Sequence, residues 1–144
     1  MAITLEQAAT VVDAALAHGA TIDCQPLTVA VLDPGGHLVS LSRQDGSGIA
    51  RPQIATGKAW GALGMGFGTR EHARRAEAQP MFINALAVAF EGRMLPVAGG
   101  VLIRDSSGTL LGAVGISGDT SERDEQCAVE GIHAAGLVAD TGAQ

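Results

Sequence analysis

Two charged side chains stand at the exit of an otherwise apolar strand pattern in VAVLDPGGHLVSLSRQDGSG, residues 29–48. Two apolar runs flank a D-P-G-G turn, and the second run ends in Arg43 and Asp45. Because residues two apart in a strand share a face, alternation predicts that Arg43 lies on the face of Val39 and that Asp45 is its next neighbour. Asp45 would then hold the Arg43 guanidinium. The pair would either be a structural ion pair or position Arg43 to bind a carboxylate through two parallel hydrogen bonds.

Lys58 interrupts a run of small residues in ATGKA, residues 55–59. The triplet TGK suggests a phosphate-binding loop, but the first glycine of G-x-x-x-x-G-K-[ST] is missing, and Ala59 replaces the hydroxyl residue that would contact magnesium. Nucleotide binding is therefore not expected. Lys58 remains a candidate pocket cation or, equally, a surface lysine.

The histidines are far apart in the sequence, without an H-E-x-x-H motif or a histidine four residues away, so no preformed zinc site is expected. One imidazole suffices as an axial ligand of haem iron; otherwise each histidine is a polar surface or turn residue. Acidic residues near position 120 either attract a hard cation or complement a helix dipole. The histidines are His18, His37, His72 and His133, and the acidic residues are Asp119, Glu122, Asp124 and Glu125.

Two D-x-x-G-x-L turns, at residues 33–38 and 105–110, predict two similar hairpins. In each turn the aspartate can accept hydrogen bonds from turn amides, and the glycine three residues later can adopt the left-handed conformation. Glycine inside a strand usually marks close approach by another backbone or by a ligand, so the second hairpin is a candidate pocket floor. Its glycines are Gly99, Gly100, Gly112, Gly115 and Gly118.

Helices are predicted before, between and after the hairpins. The first begins at a capping box of Thr4 and Gln7 and runs to about Gly19, the middle segment covers residues 50–91, and the last begins at Ser121. The charged stretch TREHARRAEAQ in the middle segment is predicted to be solvated. This order predicts one α+β domain over residues 1–144, with an antiparallel sheet flanked by helices.

Composition narrows the classes of partner. The net charge is −6 and no Lys/Arg-rich run is present, so neither nucleic acid nor an anionic membrane is expected as a partner. No apolar stretch approaches a membrane span and no signal-peptide pattern is present, so we expect a cytoplasmic protein. Cys24 and Cys127 are then expected to be packed thiols rather than a disulfide.

Together these motifs resemble the GlcG/HbpS-like family, the haem-binding or "haem-degrading" domain also found at the C-terminus of PduO-type cobalamin proteins. The resemblance rests on VAVLDPGGHLVSLSRQDGS, on Lys58-Ala59 and on GGVLIRDSSGTLLGAVGISGDTSERDEQCA, and it covers nearly the whole chain. It implies a profilin-like three-layer arrangement that assembles into homo-oligomers, dimers or larger. Some members bind haem or a corrinoid.

The resemblance also suggests site residues. In haem-binding relatives a histidine late in the first helix is implicated, and His18 occupies that place here. Leu102 stands where many relatives have proline, which implies a differently shaped pocket floor. The positions that match the family pattern are Arg43, Asp45, Lys58, Gly99, Gly100, Gly115, Ser117, Gly118 and Asp124.

Three functions remain open at this stage. The first is a binding module for haem or a related tetrapyrrole, with His18 as iron ligand and with Arg43 and Lys58 pairing with the propionates. The second is a lyase or isomerase of small-acid catabolism, in which Arg43 and Lys58 orient a carboxylate. The amides of Gly99–Gly100 and Gly115–Gly118 would then stabilise negative charge, and Asp119 or Asp124 would move a proton. The third is a scaffold or sensing subunit whose shared surface is an oligomer interface.

Overall fold

The computed structural model describes residues 1–143, which form five helices and one five-stranded antiparallel sheet. The strand order is β2-β1-β4-β3-β5. Helices α1 and α5 pack on one face of the sheet and α2 on the other, which makes three layers, and α3 and α4 extend the α2 layer. The predicted α+β class, with a sheet built from two hairpins, is confirmed. The elements are α1 (Leu5–Thr21), β1 (Thr28–Leu32), β2 (Leu38–Arg43), α2 (Arg51–Met65), α3 (Thr69–Ala78), α4 (Pro80–Ala89), β3 (Gly100–Arg104), β4 (Leu110–Ser117), α5 (Ser121–Ala134) and β5 (Val138–Asp140).

The two hairpin turns have the same hydrogen bonds. In each, one carboxylate oxygen of Asp33 or Asp105 accepts from the amides two and four residues later, at 2.9 to 3.0 Å. Gly36 and Gly108, three residues after the aspartates, have φ values of +82° and +87°. Both turns are therefore as predicted, since only glycine adopts this conformation without a steric cost.

A β-bulge separates the two ends of β2. Val39 has no partner in β1, because the register shifts there, and its side chain packs against the core under α1 and α5. Arg43 lies opposite Thr28, which shares a face of β1 with Leu32, and Leu32 packs against α2. Val39 and Arg43 are thus on opposite faces, and the expectation from simple alternation is wrong because Val39 is the extra residue of the bulge.

Glycines allow α2 to lie directly on the sheet. Gly100 and Gly115 are cross-strand partners in β3 and β4. A Cβ atom on Gly115 would collide with the carbonyl oxygen of Ala55, and one on Gly100 would collide with that of Lys58. The predicted close approach of another backbone is confirmed, and it covers this part of the proposed pocket floor with a helix.

Two features of the fold differ from the sequence-based expectation. Strand β5 pairs with β3 at the sheet edge and was not predicted. In α3, Thr69, Glu71 and His72 are buried, so the charged stretch is only partly solvated. Across residues 1–143, the structure contains no helix of the length and apolarity that a membrane crossing requires.

Candidate functional site

Lys58 lies in a buried ion pair where α2 crosses the end of β4. Its Nζ donates to the carbonyl oxygen of Ile116 at 2.8 Å and to Asp124 Oδ2 at 3.2 Å. The other carboxylate oxygen of Asp124 accepts from the Asp119 amide at 3.0 Å. Lys58 is 2% exposed and Asp124 1% exposed, so both charges are satisfied inside the protein.

Burial has opposite effects on the two partners. It lowers the pKa of Lys58 and raises the pKa of Asp124, while the attraction between the two charges opposes both shifts. Both side chains are buried. Binding of a ligand by Lys58 and proton transfer by Asp124 remain predictions, and this arrangement does not favour either.

Asp119 is also held by backbone donors. Its carboxylate oxygens accept from the amides of Gln25 and Thr120, each at 2.7 Å. These hydrogen bonds lower the pKa of Asp119, so it stays ionised at neutral pH and is poorly suited to be a general acid. The Gly100 amide already donates to Thr69 Oγ1 at 2.8 Å, so it is not free to stabilise an oxyanion.

Arg43 does not pair with Asp45. Arg43 NH1 donates instead to the Ser47 carbonyl oxygen at 2.7 Å, and within residues 1–143 no ion pair joins Arg43 to Asp45. The strand ends at Arg43 and the chain turns, with the Ser47 amide donating to the Gln44 carbonyl oxygen at 3.0 Å. The predicted ion pair is wrong because Asp45 belongs to this turn and not to a continuing strand.

Arg51, which the sequence analysis missed, joins this end of the sheet. Its NH1 donates to Ser117 Oγ at 3.0 Å, and Ser117 is the last residue of β4. No motif singles out Arg51, because it only precedes the proline of the first turn of α2. Gly99 and Gly118 flank the same region with φ values of +121° and +150°, and a Cβ on Gly99 would lie 2.8 Å from Lys58 Nζ.

His18 lies apart from this group, in the last turn of α1. The amide nitrogen of Gln126 on α5 donates to His18 Nε2 at 2.9 Å. The residues that follow His18 line a cleft of about 430 Å³ between α1 and the turn after β2. That cleft is lined by Gly19, Ala20, Cys24, Pro26, Gln44 and Asp45.

The two cysteines are free thiols, as expected; Cys24 lines this cleft and Cys127 is buried. Burial raises the pKa of the Cys127 thiol to about 12 and also raises the pKa of Cys24. Both sulfurs therefore stay protonated at neutral pH, and neither is a ready thiolate ligand.

His72, one of the four histidines considered in the sequence, is buried on α3 against Gly61 of α2. Neither ring nitrogen has a hydrogen-bond partner among residues 1–143, and Phe67 packs edge to face on the ring at 5.2 Å between centroids. Burial lowers the pKa of His72 to about 4, so the ring is neutral at pH 7. His72 is 1% exposed.

The remaining candidate ligands are scattered. His37 is tied to Asp33 in the first turn at 3.1 Å, and His133 is exposed near the end of α5. In residues 1–143 no group of three or more His, Cys, Asp or Glu side chains is placed to hold a metal ion. Trp60 packs edge to face with Phe90 in the α2 layer, on the opposite side of the sheet from α1.

Comparison with known proteins identifies the family. The model of the family described as "Haem degrading protein HbpS-like" matches residues 3–133. The chain belongs to the HbpS-like family. No curated protein is significantly similar to this HbpS-like chain in sequence.

Solved structures have the same fold. The PduOC:heme complex superposes with a TM-score of 0.85 at 23% identity, over 95% of this HbpS-like chain and 97% of that one. Klebsiella pneumoniae protein ORFY superposes with a TM-score of 0.83 at 27% identity, over 93% and 90% of the two chains. HbpS superposes with a TM-score of 0.78 at 27% identity, over 92% and 89%.

Proposed function

We propose that this HbpS-like chain is a small-molecule-binding protein for haem or a related tetrapyrrole, with His18 as the iron ligand. Family membership and the heme complex of PduOC support a haem-related ligand. The observation that carries the proposal is the position of His18, which directly precedes the cleft-lining residues Gly19 and Ala20 and whose Nε2 has an exposed amide as its partner. Haem would supply a coordinating iron and visible absorption at this place.

The residues around His18 fit such a group. Gln126 is exposed and neutral, so its amide can rotate away from Nε2 without leaving a buried charge. Ala20, whose side chain is small and exposed, lines the cleft and leaves room there for a flat ring. The protonated thiols of Cys24 and Cys127 do not compete for iron, which leaves the imidazole as the strongest ligand at the cleft.

Propionate binding by Lys58 is not part of this proposal. Its ammonium is buried in the pair with Asp124, and releasing it would leave an uncompensated carboxylate inside the protein. Propionate binding by Arg43 is not part of the proposal either. Arg43 lies on the α2 side of the sheet, whereas the cleft near His18 is lined by the next residue, Gln44.

A haemin titration followed by visible absorption tests the proposal. We expect a saturable, shifted Soret band in the wild type that is lost in His18→Ala. His133→Ala is the matched control, because His133 is an exposed histidine on α5, and it should bind haemin like the wild type. A saturable band that survives in His18→Ala would remove His18 as the ligand, and the absence of saturable binding in the wild type would contradict the function.

We also propose that the chain forms a homo-oligomer through α4. This helix, PMFINALAVA, has no charged residue, and Ile83 is its one buried member. Met81 is 85% exposed, Val88 80% and Phe82 52%. A contiguous apolar surface of this kind is typical of a protein interface, and a second copy of α4 would cover it.

A further inference from the structure

Within residues 1–143, two of the nine basic side chains lack a carboxylate partner. Lys58 and six arginines each lie within 4.0 Å of an Asp or Glu carboxylate. Arg43 and Arg51 do not, as far as residues 1–143 are concerned. The chain has 15 acidic residues and a net charge of −6, so a shortage of acids does not explain this.

The two unpaired arginines lie at the same end and on the same face of the sheet. Thr28 pairs with Arg43 on one side and with Ser117 on the other. Ser117 Oγ accepts from Arg51, which begins α2. Since neighbouring strands are about 4.8 Å apart, the backbones of Arg43 and Ser117 are about 10 Å apart, within reach of two converging arginine side chains.

Buried hydroxyl groups hold this arrangement in place. Thr28 and Ser47 share a hydrogen bond of 2.9 Å between their hydroxyls, and the Ser47 carbonyl oxygen accepts from Arg43. Thr28, Ser47 and Ser117 are all buried. Each guanidinium therefore donates one N–H to a neutral oxygen, and no carboxylate of the described residues pairs with its remaining donors.

The start of α2 adds positive potential. Its first turn has no acidic residue, and its N-cap residue, Ala50, provides no side-chain hydrogen bond. Arg51 thus adds a cation at the positive end of the helix dipole, a position that normally favours an anion. Lys58, also on α2, does not add to this potential, because Asp124 neutralises it.

We propose that Arg43 and Arg51 form a binding site for a small carboxylate, with a dicarboxylate as the best match, on the α2 face of the sheet. Each guanidinium fork matches the two oxygens of one carboxylate. The site is distinct from the cleft beside His18, which lies on the α1 face, and it does not rest on haem binding.

Calorimetric titration of the haem-free full chain tests this site, with succinate, acetate and inorganic phosphate as probes at ionic strength held constant with NaCl. We expect saturable binding of succinate that is tighter than binding of acetate. Arg43→Gln and Arg51→Gln should each weaken succinate binding by about tenfold or more, because each removes a charge-assisted pair. Arg104→Gln is the matched control, since Arg104 already pairs with Asp140, and it should leave the affinity unchanged.

Several outcomes would overturn the proposal. These are no saturable succinate binding by the wild type, unchanged affinity in both glutamine variants, or binding of phosphate without binding of succinate. His18→Ala must bind succinate like the wild type, since loss in that variant would mean that the two sites are one. If Arg51→Gln does not fold, Arg51→Lys keeps the charge but loses the fork and should still weaken binding.

Discussion

At the scale of single residues, Lys58 shows how burial decides a role that residue type leaves open. In sequence it is a cation among small residues, equally suited to a pocket and to the surface. In the fold both of its acceptors are protein atoms, and its side chain is buried between α2, to which it belongs, and the end of β4. Its contribution is to neutralise Asp124, whose other oxygen anchors the start of the loop into α5.

Substitution of Lys58 tests this structural role. Lys58→Met leaves the Asp124 carboxylate buried without its cation, so the free energy of unfolding should fall by about 3–5 kcal/mol. The double variant Lys58→Met/Asp124→Asn should recover about half of that loss or more, because no unpaired charge remains and the new side-chain amide oxygen can still accept from the Asp119 amide. Urea unfolding of the wild type and both variants measures the two changes.

The opposite result would support a ligand-binding role for Lys58. If Lys58→Met retains its stability but loses affinity for haemin or succinate, Lys58 serves a ligand and not the fold. The pair of variants separates the two cases, since a structural ion pair predicts coupling between the substitutions and a ligand contact does not.

Sequence and structure diverge at Arg43 for a reason that sequence does not reveal. The residue type correctly marks a cation at a strand exit, but its partner depends on where the strand stops and which way the chain turns. A bulge at Val39 and a turn after Arg43 each change a side-chain direction. Arg51 was missed because its importance comes only from its distance to Ser117, 66 positions away in sequence.

At the scale of elements, local chemistry made most of the fold predictable. Both D-x-x-G turns, the capping box at Thr4 and the close packing at Gly115 depend on side chains or conformations that sequence specifies directly. Strand β5 has three residues, too few to show a period of two. Its place is determined by pairing with β3, a long-range contact that no local pattern encodes.

The buried His72 ring on helix α3 links the stability of the fold to pH. His72 lies on α3 against Gly61 of α2, with Arg75 and Glu71 as the nearest charged groups. Its pKa is about 4 in the folded protein, against an ordinary value of 6.5, so the folded state binds fewer protons. The stability that the neutral ring provides is complete above pH 6.5 and is lost as the pH falls toward 4.

Unfolding measured between pH 7 and pH 4 checks this expectation. Relative to His72→Leu, which has no titratable group, the wild type should lose up to about 3 kcal/mol across that interval. His133→Gln, which removes an exposed histidine, should follow the pH dependence of the wild type. Parallel curves for the wild type and His72→Leu would show that His72 is not the acid-sensitive group.

At the scale of the whole molecule, the position of α4 links the fold to assembly. The sheet already has a helical layer on each face, so α4 packs at the periphery of the α2 layer, where it contacts α3 and leaves most of its apolar surface in solvent. Sequence shows that the segment is apolar. It does not show that the core has no room for it, because that depends on how closely α2 approaches the sheet through Gly100 and Gly115.

Charges placed on α4 should therefore dissociate the assembly without unfolding the chain. Multi-angle light scattering of the wild type should give a multiple of 14.5 kDa, and Met81→Glu/Val88→Glu should give a monomer with unchanged circular dichroism. Leu5→Glu is the matched control, because Leu5 is an exposed apolar residue on α1, and it should remain assembled. An assembled double variant would mean that the interface lies elsewhere. A monomeric wild type would mean that the chain does not form the proposed assembly. Dissociation with haemin and succinate binding intact would further show that both ligand sites are complete within one chain.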